Sequence, residues 1–148
     1  MRVFTRGDIN TMTAMKRRLV HTEIMPIRWG DMDAMGHVNN TIYFRYMEQA
    51  RISWFEAIGA RSAIKGQGPV IVNASCSFIK QLVYPGNVEI KTYVGELGRS
   101  SLQTYLELRP SYDPGKIYAE GAAKVVWVDY LKEKSVPLPE SIRQLIGH

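Results

Sequence analysis

Cysteine is almost missing from this chain. Cys76 stands alone, so no internal disulfide can form, and a reducing cytoplasm is the expected compartment. Cys76 falls in an apolar strand pattern and reads as a buried, inert thiol rather than a nucleophile. Long hydrophobic runs are missing too: no stretch approaches the roughly 18 apolar residues of a transmembrane helix, so no membrane partner is expected. Met1 to Arg18 carries scattered Arg, Lys and Thr but no apolar signal core, and Met15 is an alternative start. Residues 1–17 are therefore expected to be a flexible tail and residues 18–148 one domain, large enough to bury a real core.

The net charge is +5, yet the basic residues are dispersed, with one tight cluster at Lys16-Arg17-Arg18. No basic stripe with interleaved aromatics, zinc spacing or helix-turn-helix pattern accompanies them, so no nucleic acid is expected. A modest positive field serves equally well to attract a phosphorylated small molecule. There is no nucleophilic serine elbow, phosphate loop or dinucleotide fingerprint; Gly95-Glu96-Leu97-Gly98 lacks the spacing and following helix of a nucleotide cradle.

What is present is clear periodicity. A first strand is expected over Leu19 to Trp29, with Pro26 marking an edge, bulge or end. Tyr43, Met47, Ala50, Trp54 and Ile58 recur at helical spacing, widened by Ile42, Tyr46 and Phe55, and predict a helix over about Asn40 to Ile58. Asn39 or Asn40 suits its N-cap and Gly59 its left-handed end. Glu48 and Arg51 read as an ion pair on its surface. Four further strands are expected over Val70 to Lys80, Val88 to Gly95, Ser101 to Arg109 and Ile117 to Tyr130, separated by turns such as Tyr84-Pro85-Gly86-Asn87 and Asp113-Pro114-Gly115. Short turns imply antiparallel pairing, and the order gives an α+β layer of one helix on a five-stranded sheet. One helix cannot cover both faces of such a sheet, so a second subunit is expected against the remainder.

Between the first strand and the helix lies Trp29-Gly30-Asp31-Met32-Asp33-Ala34-Met35-Gly36-His37-Val38-Asn39-Asn40. Two carboxylates, a histidine and two asparagines stand at the positive end of a helix, where unpaired N–H groups bind an anion or stabilise charge on a carbonyl oxygen. Asp33 is either a nucleophile or general base, or the cap of a turn. Asp31 reads as a structural hydrogen-bond acceptor; with His37 alone nearby and no further ligand spacing, no metal site is expected. His37 is either an acid, base or orienter, or structural. Gly36 suggests close substrate approach or a positive φ, and Asn39 fixes the loop or caps the helix. Met32, Met35 and Met47 fill the core or line a deformable pocket.

Trp29 to Arg51 resembles, without a gap, the signature of hotdog-fold acyl-CoA thioesterases of the 4-hydroxybenzoyl-CoA thioesterase type: Asp-x-Asp-x-x-Gly-His-Val-Asn-Asn, then a Tyr-containing helix with Glu and Ala-Arg. The resemblance spans about Leu19 to Leu131. It implies a hotdog fold, a five-stranded antiparallel sheet wrapped around one long central helix. It further implies a homodimer with a continuous sheet, a tetramer as a dimer of dimers, and an active site between subunits. Asp33 matches the catalytic carboxylate, and Asn40 the position whose backbone N–H polarises the thioester carbonyl. His37 joins them as a catalytic candidate, with Gly36, Asn39 and Tyr43 as substrate-binding candidates. Neither cofactor nor metal is implied. The implied reaction is hydrolysis of a fatty or aromatic acyl-CoA, with His-Val-Asn-Asn leaning toward aliphatic or broad substrates. The alternatives are an acyl-carrier-protein substrate or a non-catalytic acyl-CoA-binding protein. Arg99, Lys80 and Lys91 are CoA-binding candidates, with solvated surface as the competing reading for each.

Overall fold

The computed structural model of the protein describes residues 17–146. The expected tail up to residue 16, with Met15, lies outside them. Arg17 lays its guanidinium 3.6 Å from the centre of the Tyr105 ring. Six strands form one antiparallel sheet: β1 (Arg18–Pro26), β2 (Gln67–Phe78), β3 (Asn87–Leu97), β4 (Ser101–Pro110), β5 (Ala119–Asp129) and β6 (Lys134–Ser135). Their spatial order is β1-β3-β4-β5-β2. Beyond the start of β4, where Ser101 faces Val126, the short β6 takes over beside β5 and sets Ser135 against Val128. An 18-residue helix, α1 (Asn40–Ala57), follows β1, and a seven-residue helix, α2 (Glu140–Ile146), closes the described chain. None of these helices is long and apolar enough to cross a membrane.

The two-residue alternation decides which face of the sheet is covered. Val88, Ile90, Thr92 and Val94 of β3 and Leu102, Thr104, Leu106 and Leu108 of β4 are buried. Thr104 belongs there because its Oγ1 donates to the Ala123 carbonyl at 2.8 Å. Against this face α1 turns Tyr43, Tyr46, Met47, Ala50, Trp54 and Phe55, all buried. Tyr43 and Met47 pack with Val88, Ile90, Leu106 and Leu108 at one end. Trp54 and Phe55 pack with Val125 and Trp127 at the other. Ile142 and Ile146 of α2, with Leu138 before it, complete that second cluster. Neither α2 nor β6 is foreseen by the sequence: each is too short to show a period.

Three expectations are corrected. β1 ends at Pro26 rather than Trp29, and Ile27 leaves the ladder to donate to the Gly86 carbonyl at 2.8 Å. Glu48 takes Arg45, at 3.4 Å, rather than Arg51, which lies half-buried; at spacing three either direction along a helix is open. Cys76 is half-buried rather than buried, and burial pushes its thiol up to about 11, so it stays protonated at neutral pH.

Gly121 of β5 leaves room for the helix: a Cβ there would run into the Met47 sulfur. Gly121→Ala should lower stability by about 1–3 kcal/mol, the usual cost of overpacking. A Cβ at Gly115 meets nothing, so Gly115→Ala should stay within about 0.5 kcal/mol of the parent. Urea denaturation of the two variants measures the difference.

Candidate active site

After Ile27 the chain makes a 3-10 turn over Trp29–Asp31 and a tight loop into α1. Asp31 fastens both. Its Oδ2 accepts the Arg28 backbone N–H at 2.9 Å and the Tyr46 hydroxyl at 2.6 Å, while its carbonyl accepts the Asn39 N–H at 2.9 Å. Burial, reinforced by this carboxylate, holds the Tyr46 phenol well above the usual tyrosine range. Asp31 is thus a structural acceptor, with both side-chain bonds on Oδ2.

Inside the loop Met32 bridges Val38, and the Asp33 N–H donates to the His37 carbonyl at 2.8 Å. Gly36 returns its N–H to the Asp33 carbonyl at 3.1 Å, with φ +81°. A Cβ there would meet nothing within 4 Å, so the glycine answers to backbone conformation rather than space. The Val38 N–H ties the loop to the Leu82 carbonyl at 2.9 Å. The Asp33 carboxylate is exposed and asymmetric. Oδ1 accepts the Met35 N–H at 2.8 Å and the His37 N–H at 3.4 Å, whereas Oδ2 has no hydrogen-bond partner among the described residues.

At the start of α1, Asn39 Oδ1 accepts the Thr41 N–H at 3.0 Å and the Thr41 hydroxyl at 2.9 Å. The Asn39 carbonyl accepts the Ile42 N–H at 2.9 Å. The Asn40 N–H is left without a partner among the described residues. Asn39 is therefore the N-cap, with its side chain engaged. Tyr43 is buried, and its hydroxyl accepts the Leu82 N–H at 2.8 Å. The half-buried His37 ring makes no hydrogen bond among the described residues; the residue's backbone braces Asp33.

A cleft of about 530 Å³ opens over Asp33, lined by Trp29, Gly30, Met32, Ala34, Gly36 and Tyr84. Asp33 and Gly36 thus share one cleft, which Asn39, Asn40, His37 and Tyr43 do not line. Trp29 and Tyr84 are the wall residues that sequence reasoning missed. Pro26 was the signal for Trp29, because a strand ending there releases the indole from the alternation. Tyr84 carried no signal beyond its turn. The arrangement offers a carboxylate oxygen open to solvent beside an apolar wall and, outside the cleft lining, a helix start with one N–H free among the described residues.

Residues 27–146 match the family model of the thioesterase-like superfamily. The chain belongs to that superfamily. Its reaction class is thioester hydrolysis, and its antiparallel sheet with two helices fits the hotdog fold. Among solved structures it is similar to PA2801 of Pseudomonas aeruginosa, provisionally assigned as a thioesterase. That protein is 44% identical, with 87% of this chain and 99% of that one covered and a TM-score of 0.82. The BH1999 gentisyl-coenzyme A thioesterase is 27% identical, covering 84% and 98% at a TM-score of 0.73. A curated relative, the chloroplastic acyl-acyl carrier protein thioesterase ATL3 of Arabidopsis thaliana, is 27% identical over 135 residues, 86% of this chain and 68% of the plant protein.

The knot at Asp31 predicts that Tyr46→Phe costs about 1.5–3 kcal/mol, the range for a hydrogen bond to a charged acceptor. The urea midpoint of the variant should fall accordingly while its far-UV spectrum keeps the parent's shape.

Proposed function

We propose that this thioesterase hydrolyses acyl-CoA, with Asp33 as the reacting carboxylate and the Asn40 backbone N–H as the group that polarises the thioester carbonyl. The observation that carries the reading is the asymmetry of Asp33: Oδ1 is held by the Met35 and His37 amides, and Oδ2 is open. Oδ2 either adds to the carbonyl carbon, giving an acyl–aspartyl anhydride that water then cleaves, or takes a proton from the attacking water. In both routes the thiolate of CoA leaves, and negative charge on the carbonyl oxygen meets the Asn40 N–H at the positive end of α1. Gly36 gives the loop its turn, and Asn39 holds the helix start. Tyr43 supports the site from beneath through Leu82. His37 acts through its backbone on Asp33.

We further read α1 as the central helix of the hotdog and the outer edge of β2 as the seam of a homodimer. β2 stands last in the sheet, and Ile71, Val72 and Phe78 on it are exposed, a long apolar edge of the kind that pairs with another strand. A dimer of dimers extends the same reading. An acyl-carrier-protein substrate is the second reading, favoured by the plant relative and by the net charge of +5. Turnover of one acyl group on the two carriers separates them.

Asp33→Ala should cut hydrolysis by about 10²–10⁴-fold; near-full activity on every thioester the parent accepts would sink the assignment. Asn40→Pro is the sharper probe. Proline is tolerated at the first helical position, and Asn39 before it already has the extended φ −58° and ψ 137° that precede proline. The variant should fold normally and lose about 10²–10³-fold in kcat, while Asn40→Ala keeps most of the activity. For the seam, Val72→Asp should shift sedimentation from dimer toward monomer.

A further inference from the structure

We infer that Trp29 selects the acyl group: its indole is the wall on which an apolar chain or ring lies while the thioester carbon sits at Asp33. The inference rests on the proposed hydrolytic role of Asp33 and adds what that role leaves open, the residue that reads the substrate. Trp29 is 77% exposed, whereas Trp54 and Trp127 are 1% and 0% exposed. An indole in water is ordinary in a loose segment, but this one is held. The Met32 N–H donates to the Trp29 carbonyl at 3.2 Å, and the Asp31 N–H to the Arg28 carbonyl at 3.0 Å. Asp31 then ties the same turn to Tyr46 of α1. A rigid turn that presents a large apolar side chain to solvent beside a reacting group is built to have something placed on it.

The position identifies the occupant. Trp29 and Asp33 line one cleft, with Met32, Ala34 and Tyr84 between and opposite them. Four residues of chain reach at most about 14 Å even when fully extended, and here the chain turns back on itself. Only groups close to the scissile bond come within that reach. The pantetheine arm sets the adenine of CoA many bonds away. The arm carries two amides, each with a donor and an acceptor, and this wall offers them little: the indole has one N–H, the Met32 sulfur already accepts the Tyr84 N–H at 3.4 Å, and the Ala34 methyl has nothing to give. The acyl group is left, and its apolar carbons match this wall. Gly30 and Gly36 add no side chain to the space, so the cleft admits an acyl group larger than acetyl.

Two measurements test this. Because Trp29 is the exposed one of three tryptophans, intrinsic fluorescence reports on it selectively. A thioether analogue of octanoyl-CoA, which cannot be hydrolysed, should move the emission to shorter wavelength. CoA alone should not, and Trp29→Phe should abolish the shift. In kinetics, Trp29→Ala should lower kcat/KM for octanoyl and benzoyl thioesters about tenfold and alter acetyl-CoA turnover less than about twofold. Trp29→Phe should recover most of the loss. The inference is overturned if CoA alone gives the same shift or if neither ligand gives one. It also fails if all three thioesters lose equally, or if Trp29→Ala changes sedimentation and not acyl preference, which would make the indole a subunit contact. A parent that hydrolyses no thioester, yet shifts with the analogue, would remove the hydrolytic reading and leave the acyl wall standing.

Discussion

The loop beneath the Asp33 cleft depends on one carboxylate, that of Asp31. Asp31 gathers the Arg28 amide and the Tyr46 hydroxyl on one oxygen and the Asn39 amide on its carbonyl. Those bonds join the end of the first strand, the start of the helix and the helix's second turn. Residues 31–39 are thereby closed into a ring. The Met32–Val38 bridge and the Asp33–His37 bond then form within it at little further entropic cost. The ring is fixed to the rest of the fold through Val38 and Leu82, and Leu82 in turn through the Tyr43 hydroxyl. The backbone of residues 31–39 is set by this chain of hydrogen bonds back to the helix.

The same bonds separate two chemically identical side chains. Asp31 is half-buried, with the Arg28 amide and the Tyr46 hydroxyl aimed at one oxygen, which holds its carboxylate in place. Asp33, two residues on, is exposed and spends one oxygen on its own loop. The first turn of α1 holds no acidic residue, so the positive end of the helix is not neutralised from within. Asn39 caps Thr41 with a neutral oxygen instead of a carboxylate. Potential that an aspartate cap would cancel therefore remains at the Asn40 amide.

Much of this was legible in the residues because alternation and helical spacing are long-range signals. The strands of Val88, Ile90 and Val94 and of Leu102, Leu106 and Leu108, and the stripe of Tyr43, Met47, Ala50 and Trp54, bury the sides their periods demand. Strand and helix ends came within a few residues where a proline or glycine marked them; Gly59 ends α1 at φ +69°. What escaped was short or tertiary. α2 and β6 fall below a readable period, and the Tyr46–Asp31 bond joins residues 15 apart in sequence through a geometry no local rule encodes. The reading of Asp31 as a structural acceptor needed only its place in the Asp-x-Asp pair, but its partner, Tyr46, was visible only in three dimensions. Trp29 was assigned to a strand, where an aromatic is ordinary, and its turn hid its exposure.

Exposure is also the remaining physical constraint on the site. A carboxylate and an amide act most strongly on a developing charge where water is excluded, because the effective dielectric then falls. In the single chain Asp33 faces solvent, and the cleft above it is walled on one side by an indole that is itself wet. Neither group is at its most effective until the cleft is filled. An apolar acyl group lying on Trp29 would displace that water as it delivers its carbonyl, so binding and desolvation become one event. A polar or very short acyl group would leave the water in place and weaken the same electrostatic contact. On the proposed reading, substrate preference and catalytic strength are two consequences of covering one indole.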